Sequence, residues 1–104
     1  MFLSSVYMLA SSKRGRLYIG VTSDLPGRLL QHQIGHGSAH AQRYQIRRLV
    51  WFDTFEDIST AIQREKTMKR WYRDWKIELI EKANPEWLPL CPQTGAFQPY
   101  EYSD

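Results

Sequence analysis

Two short runs of strand-forming residues, Ser4 to Ala10 and Arg16 to Thr22, flank the polar turn Ser11-Ser12-Lys13-Arg14-Gly15. Val6, Tyr7, Met8 and Leu9 in the first run favour extended backbone, as do Leu17, Tyr18, Ile19 and Val21 in the second. A connection this short, with a glycine in it, joins such runs as an antiparallel hairpin. The whole chain of 104 residues, 42% hydrophobic and 24% charged, is enough for one globular domain with one modest core. A single cysteine, Cys91, excludes an internal disulfide framework and a cysteine-based zinc site. No apolar run is long enough to span a bilayer, and the first twelve residues lack the basic start of a signal peptide. A reducing, cytoplasmic setting is therefore expected, with no membrane partner.

The rest of the chain divides into further elements. Ser23 or Asp24 can cap a helix with Pro26 in its first turn, carrying Leu25, Leu29 and Leu30 and stopping near Gly35. Gly27 is a weak point within it. His36 to Arg43 reads as a polar loop, and Arg47 to Phe55 as a third, well-buried strand. Asp57 can cap a helix running to about Arg70, whose apolar face is Ile58, Ala61, Ile62 and Met68. Trp71, Trp75 and Leu79 form a second stripe out of phase with the first, which predicts a separate helix ending before Asn84-Pro85. Pro and Gly recur without periodicity from Pro89 onward, so 1–88 is expected to be the domain and 89–104 an irregular tail. The order is β-β-α-β-α-α, an α/β domain.

The net charge is only +3, but its distribution is uneven. Seven basic residues between Lys13 and Arg48 face Asp24 alone, and six between Arg64 and Lys76 face Glu65 and Asp74. After Lys76 the sign reverses. Two basic blocks can attract a polyanion, although solvated helix faces produce the same pattern.

Several residues could carry chemistry. The hairpin puts Tyr7 and Tyr18 on neighbouring strands, where tyrosine more often simply packs, and Gly20 is either a bulge or an opening toward a ligand. Arg28 and His32, four apart on the first helix, share a face and could clamp and protonate a phosphate, or form a solvated flank. Glu65 extends the apolar stripe of the second long helix and needs a partner there. That partner is either Lys69, one turn on, or a hard divalent cation. His32, His36 and His40 recur every four residues, but Gly35 and Gly37 interrupt the helix a zinc site would need. Asn84 before Pro85 fits a helix end. Trp71, Tyr72 and Trp75 could stack on unpaired bases, with helix packing the commoner use.

Taken together, these residues resemble the GIY-YIG endonuclease family, in particular its small stand-alone bacterial members, which are related to the nuclease domain of the incision enzyme of excision repair. Ser5-Val6-Tyr7 stands where the first motif belongs, with ten residues separating it from Tyr18-Ile19-Gly20, which matches the second motif letter for letter. Arg28 in Asp24-Leu25-Pro26-Gly27-Arg28-Leu29 and Glu65 in Ala61-Ile62-Gln63-Arg64-Glu65-Lys66 fall where the family expects them. Trp75-Lys76-Ile77-Glu78-Leu79-Ile80, followed by Asn84-Pro85-Glu86-Trp87, resembles the stand-alone members. The likeness covers about residues 3 to 88. Two departures stand out: Ser5 replaces the first motif's glycine, and Val21-Thr22 follows the second motif where some members have a lysine.

The resemblance implies a small three-stranded, partly antiparallel sheet flanked by helices, and cleavage of DNA phosphodiesters with one Mg²⁺ or Mn²⁺. Carried over by position, Glu65 holds the metal and Arg28 contacts the scissile phosphate. Tyr7 and Tyr18 line the site, one of them orienting or activating water, with His32 beside them and Gly20 and Asn84 in support. Either tyrosine could be the base. The sequence contains no additional DNA-binding domain, so affinity is expected to rest on basic residues such as Arg14, Arg43, Arg47, Lys69, Arg70 and Arg73, with strong salt dependence. Branched, nicked or single-stranded DNA is the expected substrate, in repair or processing, with a protein partner for targeting conceivable. The rival readings are a catalytically silent nucleic-acid-binding module, a nuclease activated by a partner, and a protein-interaction domain.

Overall fold

A computed structural model describes residues 3–35 and 38–98. Its elements are β1 (Ser4–Ala10), β2 (Leu17–Thr22), α1 (Leu25–Gln33), α2 (Ala39–Arg43), β3 (Arg48–Phe55), α3 (Ile58–Lys69) and α4 (Arg73–Ala83). This is the expected order with one short helix, α2, added. The segment read as a polar loop from His36 to Arg43 folds in its second half because the Ser38 hydroxyl accepts from the Ala41 amide and starts a turn.

The sheet runs β2-β1-β3, and both ladders are antiparallel, so the sheet is antiparallel throughout. β1 is the central strand, and every one of its residues is buried. Side chains alternate across it. Val6, Met8 and Ala10 point to one face and pack with Ile19, Val50, Ala61, Met68, Ile80 and Trp87, so α3 and α4 cover that side. Tyr7 and Leu9 point to the other, with Leu25, Leu29, Ala41, Ile46, Leu49 and Leu90. A β-bulge falls where Met8 pairs with Trp51 and Leu9 with Leu49, leaving Val50 as the extra residue. The bulge turns both Val50 and Trp51 toward the α3–α4 side. β3 is accordingly less buried than its apolar run suggests, with only Leu49 and Val50 fully covered.

Local capping follows the sequence. Asp24 accepts from the Gly27 amide at 3.1 Å, Pro26 sits in the first turn of α1, and Gly35 leaves the helix at φ +84. Asp57 accepts from the Thr60 amide at 2.8 Å to start α3. Two apolar positions assigned to helix faces lie outside the core: Leu30 is 60% exposed and Ile58 44%. Leu30 follows Leu29 by about 100° around the helix, and the sheet reaches only one of them. Ile58 is the first residue of α3, beyond the reach of the strands.

After α4 the chain folds back. The buried Asn84 side chain donates to the carbonyls of Val50 and Leu88 and accepts from the Leu88 amide. Trp87, at φ +58 and fully buried, donates its indole N–H to Glu81 at 2.7 Å. The Leu90 amide then bonds the Leu49 carbonyl, and Leu90 bridges to Phe97. No helix or strand forms over 89–98, but this stretch is packed against the sheet. Residues 99–104 of the expected tail lie outside the described residues.

Candidate active site

The hairpin register builds the site. Tyr7 is paired with Gly20 and Leu9 with Tyr18, so the two tyrosines are diagonal neighbours on the face covered by α1. Their rings lie 6.2 Å apart. Tyr7 crosses directly over Gly20, where a Cβ would sit 2.5 Å from Cζ of the Tyr7 ring. Gly20 is therefore needed for close approach, and it allows the phenol to lie flat along β2.

α1 closes the group from above. His32 is 3% exposed, with Nε2 3.2 Å from the Tyr7 hydroxyl and its ring edge-on to both tyrosines, 6.0 Å from Tyr7 and 5.3 Å from Tyr18. Arg28, one turn earlier, donates from Nη1 to the Gln31 side chain at 2.8 Å. Its guanidinium is raised further above its ordinary pKa, first by hydrogen-bonding contact with the Tyr7 oxygen. Burial pushes the Tyr7 phenol up to about 12, against the opposing pull of Arg28. Burial, reinforced by the Arg28 charge, lowers His32 to about 4. At neutral pH the group is therefore a protonated phenol, a neutral imidazole and a fixed cation.

The structure thus brings together Tyr7, Tyr18, Gly20, Arg28 and His32. Glu65 is not among them: it is on α3, whose buried side packs on the other face of the sheet, and it is largely covered, with Oε2 3.1 Å from Lys69 Nζ, the pair that helix spacing predicts. Among the described residues no three or more His, Cys, Asp or Glu side chains gather into a cluster. A lone carboxylate of this kind suits a hard cation that keeps most of its ligands as water and phosphate oxygens. Asn84 is held by its bonds to Val50 and Leu88 and is not joined to the tyrosines. His40 stacks on Tyr44 with ring centroids 5.0 Å apart, and His36 lies outside the described residues.

The candidate DNA-contacting cations fall into two groups. Arg14 forms a two-pronged pair with Glu81, at 2.7 Å for each contact, Lys69 pairs with Glu65, and Arg73 donates to the carbonyls of Arg14 and Gly15. Arg43, Arg47 and Arg70 are exposed and pair with no carboxylate among the described residues. Sequence reasoning did not single out Arg16, whose guanidinium lies 4.0 Å over the Tyr44 ring, with Arg43 5.6 Å from the same ring. Its signal was strand periodicity: Arg16 is two residues from Tyr18 and so shares its face. Gln31, the tether of Arg28, carried the signal of helical spacing.

The sequence model of the GIY-YIG catalytic domain matches residues 3–78. The chain belongs to the GIY-YIG family. That match spans β1 through the middle of α4 and includes the whole tyrosine, arginine and histidine group together with Glu65. Curated relatives include a UPF0213 protein of Vibrio parahaemolyticus, 34% identical over 77 residues, covering 74% of this chain and 72% of the relative. Another, from Staphylococcus saprophyticus, is 30% identical over 75 residues, covering 72% and 92%. A third, from Haloquadratum walsbyi, is 32% identical over 78 residues, covering 75% and 86%. No solved structure matches the chain significantly. This GIY-YIG domain is thus of the small type, with the nuclease chemistry of its family as the general expectation. Among the described residues no helix is long and apolar enough to cross a membrane.

Proposed function

We propose that this GIY-YIG protein is a divalent-metal-dependent DNA endonuclease, selective for DNA structure rather than sequence, acting in the cytoplasm in DNA repair or processing. The observation that carries the reading is the Tyr7 hydroxyl held 3.2 Å from the buried His32, with the Arg28 charge near both. A merely packed tyrosine has no use for that combination. Arg28 is placed to offset charge on the non-bridging oxygens as a phosphodiester is attacked. Tyr7 retains its proton at neutral pH and is held in place by His32, so it orients the reacting group rather than serving as a pre-formed base. Tyr18, only half-buried, is the tyrosine more open to the attacking water. Tyr18, on the same face, lines the other side of the reacting phosphate.

By its family position Glu65 would hold the Mg²⁺ or Mn²⁺ ion, which would supply Lewis-acid polarisation of a phosphoryl oxygen. The exposed cations Arg43, Arg47 and Arg70 supply attraction for the DNA backbone without base readout, which supports selectivity for structure. The test is cleavage of a panel of duplex, nicked, branched and single-stranded DNA with Mg²⁺, Mn²⁺ or EDTA, by wild type and by Glu65→Ala. Cleavage that needs metal and vanishes in Glu65→Ala is expected. Equal cleavage by both proteins would overturn the metal assignment, and one preferred duplex sequence would overturn the structural selectivity.

A further inference from the structure

The junction between α3 and α4 leaves three aromatic rings largely uncovered. Tyr72 is 73% exposed and Trp75 49%, while Trp71 is only partly buried against the core. Trp75 is near-perpendicular to both, 5.2 Å from Tyr72 and 6.2 Å from Trp71, so the three rings form one cluster whose open surface is mainly that of Tyr72 and Trp75. Beside them is a groove of about 650 Å³ lined by Trp71, Trp75, Glu78, Leu79 and Lys82. Exposed aromatics clustered at one place are unusual for a surface with nothing to bind.

The surroundings select the occupant. Trp71, Trp75 and Leu79 make the groove mainly apolar, and cations border it. The Arg64 guanidinium lies 5.1 Å over the Trp71 ring, and Arg70 and Lys82 are exposed without carboxylate partners among the described residues. Glu78 is the one acid lining the groove. Rings bordered by cations suit a polyanion that carries flat rings of its own. Double-stranded DNA hides those rings in its stack, whereas unpaired DNA presents them.

We infer that Tyr72 and Trp75, backed by Trp71 and its stacked Arg64, form a stacking platform for unpaired DNA bases, with Arg70 and Lys82 facing the phosphates. The platform is on the α3–α4 side of the sheet, across from the Tyr7 phenol, and binding there does not depend on the nuclease reading. It gives that reading a substrate class: DNA with an unpaired strand.

The test is fluorescence anisotropy with a labelled oligothymidylate of about 15 nucleotides, in EDTA so that no cleavage intervenes. Wild type is compared with Tyr72→Ala, Trp75→Ala and Trp75→Phe, each also with duplex of the same length. Each alanine variant is expected to weaken single-strand binding about tenfold, at low and moderate salt alike, with little change for duplex. Trp75→Phe keeps a ring and is expected to retain most of the affinity. Tyr72 is so exposed that its loss leaves the core intact, which separates binding from folding. The proposal is overturned if wild type does not bind the single strand, or if the alanine variants bind within about twofold of wild type. Equal weakening for duplex overturns it too. So does a loss of self-association with DNA binding unchanged, which would make the patch an interface between copies.

Discussion

Acidification from pH 7 to pH 4 should cost this fold about 3 kcal/mol through one side chain, His32. The imidazole is buried between Tyr7 and Tyr18 with the Arg28 charge nearby, and its pKa falls from 6.5 to about 4. The neutral form is favoured in the folded state, so the unfolded chain binds more protons between those two values. Stability is fully present above about pH 6.5 and is lost as the pH falls toward 4, at about 1.4 kcal/mol per pH unit. Asp57 and Glu81 are carboxylates with lowered values, Glu81 near 2, so their contributions fade mainly below this window. Urea unfolding at half-unit steps from pH 7 to pH 4, on wild type and His32→Gln, measures the effect. The wild-type curve should slope and the variant curve should be nearly flat down to about pH 5. Equal slopes in the two proteins would refute the buried, neutral histidine that holds Tyr7 in the site.

Gly20→Ala puts a Cβ 2.5 Å from the Tyr7 ring, which must shift and lose its contact with His32. The expected cost is about 1–3 kcal/mol in urea unfolding together with loss of cleavage, and an unchanged midpoint would contradict the close approach. Asn84→Ala removes three hydrogen bonds that tie the end of α4 to Val50 and Leu88, and should cost about 2–3 kcal/mol by the same assay. Cleavage per folded Asn84→Ala molecule should stay near wild type, because the side chain is buried and its amide N–H groups are committed to Val50 and Leu88. A specific loss of rate with stability intact would return Asn84 to the site.

Much of the architecture was legible because it is local. The spacing of Tyr7 and Tyr18 across a glycine-bearing turn fixes which strand positions oppose each other, and alternation then puts both rings on one face. The caps Asp24 and Asp57 mark helix starts by chemistry that operates within three residues. What escaped depends on distant partners. Helical periodicity told which residues share a face, but not how far the sheet extends beneath it, so Leu30 and Ile58 were assigned to a core they do not reach. The burial of Trp87 needs Glu81 as acceptor and the return of the chain beneath β3. The bulge at Val50 arises from pairing with Met8 and Leu9, far away in sequence. Within the site, Arg28 and His32 carried only a spacing that chance often supplies. Their convergence on the Tyr7 hydroxyl is a property of how α1 crosses the hairpin.

The central claim is that the face bearing Tyr7, Tyr18, Arg28 and His32 hydrolyses phosphodiester bonds. Its most direct test is the single-turnover cleavage rate of Arg28→Ala against wild type, on one nicked or branched DNA at saturating protein. Arg28 is partly exposed and outside the core clusters, so the variant should unfold at nearly the same temperature as wild type. The account predicts a rate at least about 100-fold lower, the order expected when a charge-stabilising group is removed from a reacting centre. A rate within about threefold of wild type, from a folded protein that still binds the DNA, would contradict it.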